Sequence, residues 1–159
     1  MAQEIERKFL VTNDTWRENV FRQTRMCQGY LNDTKKSSVR VRVAGDKAYL
    51  NIKSATLGIN RKEYEYPIPV ADANEILSEL AHKPLIEKTR HYVKFSDHVW
   101  EVDVFEGDNN GLIVAEVELG HEDEEFDLPP WAGEEVSADP RYYNVCLVKH
   151  PFKDWVTQK

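Results

Sequence analysis

Two pairs of carboxylates stand two residues apart, Glu4/Glu6 and Glu116/Glu118, each inside a run that alternates polar and apolar side chains. A period of two sends successive side chains to opposite faces of a strand, so each pair shares a face. Paired carboxylates are hard oxygen ligands of the kind that Mg2+ or Mn2+ takes, usually while keeping several waters. Basic residues recur at the same spacing, Arg40 with Arg42 and Lys88 with Arg90, and Lys53 lies in a further alternating run. Arginine grips phosphoryl oxygens bidentately and lysine acts on them as a point charge. Acids and bases at such close quarters point to a site for a metal ion and a polyphosphate. The chain has no GxxxxGK[ST] stretch, so phosphoryl chemistry here needs a scaffold other than a P-loop.

The elements that must position these side chains are strands. Alternation predicts them over about 3–11, 25–32, 39–43, 47–53, 60–68, 85–95, 99–105 and 113–119. Ala44-Gly45-Asp46 reads as a hairpin turn and Gly107-Asp108-Asn109-Asn110-Gly111 as a second connector. Pro67 and Pro69 are expected to end the fifth strand. Ala73, Ile76, Leu77 and Leu80 follow helical spacing, with Asp72 as the expected cap. From about residue 121 the tail is expected to hold short helical pieces broken by Pro129, Pro130, Pro140 and Pro151. The run Glu122-Asp123-Glu124-Glu125 reads as a solvated helix start.

Most strands carry a charged face. Glu4, Glu6 and Lys8 share one, as do Arg40 and Arg42, Asn51 and Lys53, Arg61, Glu63 and Glu65, Lys88 and Arg90, Glu101 and Asp103, and Glu116 and Glu118. The opposite faces are mostly apolar, as in Val39, Val41 and Val43 or Val102 and Val104. Arg7, Lys62 and Glu87 fall on those opposite faces and read as exterior ion-pair partners. Two architectures share this pattern. In a sandwich the charged faces meet water; in a barrel they line a polar lumen, which needs a charged ligand and metal ions to offset the desolvation. Alternation alone does not choose between them.

Composition bounds the remaining classes. The 159 residues are 41% apolar and 31% charged, with a net charge of −7, which suits one domain over 1–159 and argues against a nucleic-acid partner. No apolar run approaches the roughly 20 residues that span a bilayer. The opening MAQEIERKFLV lacks a basic n-region followed by an apolar stretch, so a cytoplasmic location is expected. Cys27 and Cys146 match no zinc spacing and are expected reduced. The five histidines show no metal-ligand spacing, and Trp16, Trp100, Trp131 and Trp155 read as core or subunit contacts.

Glu4-Ile5-Glu6-Arg7-Lys8-Phe9-Leu10 resembles the ExExK signature of the CYTH superfamily, the triphosphate tunnel metalloenzymes. The likeness continues through Gln28-Gly29-Tyr30-Leu31, Val39-Arg40-Val41-Arg42, Asn51-Ile52-Lys53-Ser54 and Arg61-Lys62-Glu63-Tyr64-Glu65. Further on it takes in Glu87-Lys88-Thr89-Arg90, Glu101-Val102-Asp103-Val104-Phe105, Ala115-Glu116-Val117-Glu118-Leu119 and Trp131-Ala132-Gly133-Glu134-Glu135-Val136. It is similar to the short single-domain bacterial branch. The resemblance implies a β-rich α+β fold, an eight-stranded antiparallel closed β-barrel with flanking helices and its charged faces inward.

The same resemblance implies roles. Glu4, Glu6, Glu116 and Glu118 match metal-binding acids, with Asp103, Glu63 and Glu65 as further acids that hold a second metal or orient water. Lys8, Arg40, Arg42, Lys53, Lys88 and Arg90 match phosphate clamps, and Arg61 joins them on the face it shares with Glu63. Tyr30 matches a tunnel tyrosine, and Arg141 and Tyr142 fall in a segment like the family's plug at the tunnel mouth. Glu4, Glu6, Lys8, Glu63, Lys88 and Arg90 are thus the expected catalytic set. The implied activity is hydrolysis of the terminal phosphoanhydride of tripolyphosphate or a small organic triphosphate, with Mg2+ or Mn2+, in a homodimer. The alternatives are a class IV adenylate cyclase and a non-catalytic polyphosphate or nucleotide binder.

Overall fold

Pairing of the first strand with the fifth is the step that turns this chain's sheet into a tube. The computed structural model describes residues 3–32, 36–54 and 59–155. Its strands are β1 Gln3–Val11, β2 Val20–Tyr30, β3 Ser37–Ala44, β4 Lys47–Ser54, β5 Asn60–Ile68, β6 Ile86–Phe95, β7 His98–Phe105, β8 Ile113–Glu118 and β9 Ala132–Glu135. Antiparallel neighbours run β5-β4-β3-β2-β6-β7-β8-β1. Gln3, Glu4 and Ile5 then pair with Lys62, Arg61 and Asn60, which closes an eight-stranded barrel. Strand β9 adds outside the circuit, against the second half of β1.

The apolar outer faces are covered piece by piece. Helix α1, Val70–Glu79, lays Ala73 and Leu77 over Val41 and Ala48; burying a leucine in this way contributes roughly 1.5–3 kcal/mol. On the other side Phe9, Val93, Trp100, Val102 and Val117 pack with Trp16 and Trp131, from the 3-10 turn Thr15–Asn19 and the loop before β9. All four tryptophans are buried. Arg7 pairs with Glu135 and Glu87 with Arg25 on the exterior.

The inward faces are not charged along their whole length. At one end they turn apolar, at Tyr30, Ile86, Phe105 and Val114, and Leu147 and Val148 of helix α2 (Asn144–Lys149) seal that end with Trp155. Burial of these side chains fixes α2 as a stopper at one mouth.

Several local expectations give way. Strand β2 starts at Val20, five residues earlier than the alternation indicated, because its first half pairs with β6 while Phe21, Arg22 and Gln23 stay exposed. Pro69, not Asp72, is the N-cap of α1, and Asp72 lies in the first turn. Leu80 is 69% exposed, beyond the face that meets the sheet. Pro67 sits inside β5, opposite Tyr49, where β1 no longer pairs on the other side. Residues 122 and 123 form a turn and 124–125 continue as irregular chain, in place of a helix start. There Glu124 accepts from the Gly120 amide and binds His98 at 2.6 Å. Cys27 and Cys146 are both free.

Candidate active site

The barrel encloses a cavity of about 370 Å3. Strand alternation delivers nearly every expected side chain to its wall: Glu4, Glu6 and Lys8 from β1, Tyr30 from β2, Arg40 and Arg42 from β3, Lys53 from β4, Arg61, Glu63 and Glu65 from β5, Lys88 and Arg90 from β6, and Glu116 and Glu118 from β8. Asp103 of β7 lies directly behind that wall. It is 2% exposed, 2.7 Å from Lys88 Nζ, and holds Arg90 through both carboxylate oxygens at 2.8 and 2.9 Å.

Electrostatics divides the cavity in two. Around Asp103 cations dominate. Burial raises the cost of its charge, but Arg90 and Lys88 outweigh that and hold Asp103 well below the usual carboxylate range. Burial, with Arg90 and Arg42 nearby, pushes Lys88 down to about 7 against the pull of Asp103. Burial also lowers Arg42 to about 9, aided by Arg40 and Arg90. Glu116 is likewise penalised by burial, yet Lys8 and Arg90 hold it down at about 2. These are cations with too few acids, the environment that draws an anion.

Across the lumen acids dominate. Register places Glu6 opposite Glu118 and Lys8 opposite Glu116. Burial, then the charge of Glu116, raises Glu6 to about 7. Burial raises Glu4 too, with Glu63 adding to the effect and Lys53 opposing it. Glu118 rises for the same reasons, burial and then Glu4. Glu4 Oε1 lies 3.2 Å from Lys53 Nζ and is buried without forming a hydrogen bond. Like-charged carboxylates this close, short of cations, are the donor set of a hard divalent ion. Among the described residues no three such groups already converge on one point. A cation that keeps its waters and shares phosphate oxygens needs only one or two of them, so the residues fit it.

The other acids hold basic neighbours in place. Glu101, raised to about 7 by burial against the pull of Arg90, lies 3.1 Å from Arg90 Nη1. Glu63 reaches Arg40 at 3.4 Å, and Asn51 donates to both Glu63 and Glu65. Arg141 is the one expected binding residue that the fold does not bring to the cavity. Its guanidinium is bound to Asp139 at 2.9 Å and lies over Trp155 and Tyr142 on the outside of the stopper. Tyr143, Asn144 and Val145 line the cavity at the start of α2 instead. No alternation marks them, because Tyr143 joins a 3-10 segment to a short helix and Asn144 and Val145 are the first two residues of that helix. Gln28 is fully buried in the same network, donating to Asn144 and accepting from Arg42. Its place two residues before Tyr30 on β2 was the available signal.

The model of the CYTH domain matches residues 2–143. The chain belongs to the CYTH family. An inorganic triphosphatase of Acetivibrio thermocellus is 49% identical to this CYTH chain over 155 residues, covering 98% of this chain and 99% of that one. One from Nitrosomonas europaea is 39% identical over 148 residues, covering 91% and 95%. The solved structure of the inorganic triphosphatase NE1496 superposes with a TM-score of 0.68 at 36% identity, covering 93% of this chain and 95% of that one.

Proposed function

We propose that this CYTH protein is a metal-dependent triphosphatase that removes the terminal phosphate of inorganic tripolyphosphate or a small organic triphosphate. One observation carries the reading. A closed barrel turns a surplus of buried cations and a crowd of buried carboxylates toward each other across a single cavity. The basic side chains of the wall, Lys8, Arg40, Arg42, Lys53, Arg61, Lys88 and Arg90, take the nonbridging oxygens and the leaving diphosphate. Phosphoryl transfer is largely a matter of positioning and charge neutralisation, which preorganised cations supply without reorganising. One or two of Glu4, Glu6, Glu116 and Glu118 would hold the ion, which acts when bound as a Lewis acid toward the phosphoryl oxygens. Glu63, placed between Arg40, Asn51 and Lys53, orients the attacking water by accepting its proton. Asp103 stays ionised between Lys88 and Arg90 and aims them.

The names of the relatives support this reading. Mg2+ or Mn2+ as the ion and a homodimeric state belong to the same proposal and rest on the family resemblance; a cytoplasmic location and one domain over 1–159 belong to it as readings of the sequence. Among the described residues no helix is long and apolar enough to cross a membrane. The test is phosphate release from tripolyphosphate, ATP and thiamine triphosphate, with and without Mg2+ or Mn2+, beside a Glu4→Ala/Glu6→Ala variant. Metal-dependent release that the variant loses is the expected result. No release from any of the three overturns the reading.

A further inference from the structure

Two uncharged amides connect the stopper helix to the cationic wall. Gln28 Nε2 donates to Asn144 Oδ1 at 2.9 Å, and Arg42 Nε donates to Gln28 Oε1 at 2.8 Å. The same Asn144 oxygen accepts from Lys88 Nζ at 2.9 Å. The result is an unbroken line, Arg42 to Gln28 to Asn144 and back to Lys88. The amide orientations are fixed by chemistry. A flipped Gln28 would set its NH2 against the guanidinium, and a flipped Asn144 would set its NH2 against the ammonium.

We propose that Asn144 and Gln28 are positioning residues that fix Lys88 and Arg42 for phosphate without adding a counter-charge of their own, and so couple docking of α2 to anion binding. The inference rests on the triphosphatase reading and deepens it.

The choice of side chain carries the argument. Burial disfavours the charged forms of Arg42 and Lys88, and the other basic groups of the wall add to that, against the pull of Asp103 on both. Something must hold such cations in place. A carboxylate would do so by neutralising them, as Asp103, shared between Arg90 and Lys88, already does in part for both. An amide oxygen supplies the acceptor with no net charge, so the field toward the cavity survives. Lys88 has three N–H donors. Asp103 and Asn144 take two, and Lys88 lines the cavity, so the third is available to a phosphoryl oxygen. Asn144 is also the first residue of α2, whose Leu147 and Val148 seal the apolar end. The stopper therefore sets the geometry of the cations as well as closing the mouth.

Asn144→Asp tests this. It keeps the shape and the acceptor and adds the charge that the amide avoids. Asn144→Leu removes the acceptor at similar size. Wild type and both variants are compared by KM and kcat for tripolyphosphate with Mg2+. They are also compared by the tripolyphosphate concentration that half-saturates the rise in melting temperature. Asn144→Asp should raise both KM and the half-saturating concentration roughly ten-fold or more, with the ligand-free melting temperature not lowered. Asn144→Leu should act mainly on kcat, by roughly ten-fold, since the cations keep their charge and lose their aim. A wild type that neither releases phosphate nor gains melting temperature overturns the functional reading and this inference with it. A responsive wild type that Asn144→Asp matches in both affinity measures overturns the inference alone.

Discussion

Lys88 shows how far one side chain can be read in advance. Its parity with Arg90 placed both on one face, and the fold turns that face inward. Sequence could not show what surrounds it, because Asp103, Asn144 and Arg42 arrive from β7, α2 and β3. Two predictions belong at this scale. Replacing Lys88 with alanine should cut triphosphate turnover roughly 100- to 1,000-fold, the range for loss of one preorganised charge stabiliser. Asp103 would keep Arg90, so near-normal circular dichroism is expected, and turnover within a few-fold of wild type would remove Lys88 from the clamp. Replacing Asp103 with asparagine should instead strike the fold. It takes from buried Lys88 its bonded carboxylate and from Arg90 its two-oxygen partner, which costs on the order of 3–5 kcal/mol. Urea denaturation measures this, and a loss below about 1 kcal/mol would show that Glu101 and Glu116, also bound to Arg90, suffice. Arg141 marks the limit of reading by likeness. Its position in the tail matched, but the nearby Asp139 captures the side chain.

Elements were legible where a periodic face meets a core. The eight barrel strands and α1 satisfy that condition, and alternation announced the strands as helical spacing announced α1. Strand β9 did not, because four residues, Ala-Gly-Glu-Glu, hold too little pattern and form a strand only by pairing with β1. Helix α2 is six residues long and takes its stability from the barrel's apolar end instead of from propensity. The joint between β2 and α1 offers a test of element packing. A Cβ on Gly29 would come within 2.8 Å of both Ala81 Cβ and Leu85 Cδ2 and 3.0 Å of Leu77 Cδ2. Gly29→Ala should therefore lift the α1 end from the sheet, at about 1–3 kcal/mol for overpacking. A lower urea midpoint with unchanged slope is the expected signature. An unchanged midpoint would mean that the 81–85 segment yields freely.

Closure is a property of the whole molecule, and alternation is blind to it. A sandwich and a barrel demand the same period of two, and only the three-residue pairing of β1 with β5 separates them. Once closed, the barrel gives an acidic protein, net charge −7, an interior whose cationic half repels itself. A polyphosphate with its metal relieves both halves at once, so ligand binding should stabilise the fold beyond what ionic strength does. At a ligand concentration about 100-fold above Kd, linkage gives about 2.7 kcal/mol. For a chain of this size that corresponds to a rise of roughly 5–10 °C in melting temperature. Differential scanning fluorimetry with tripolyphosphate and Mg2+ measures it, against sodium chloride at equal ionic strength. Salt alone should do much less, because buried pairs are weakly screened and simple ions do not bridge the cavity. Equal shifts from both would mean that the interior charges are already balanced, and that the barrel's charged lumen is not built around an anion.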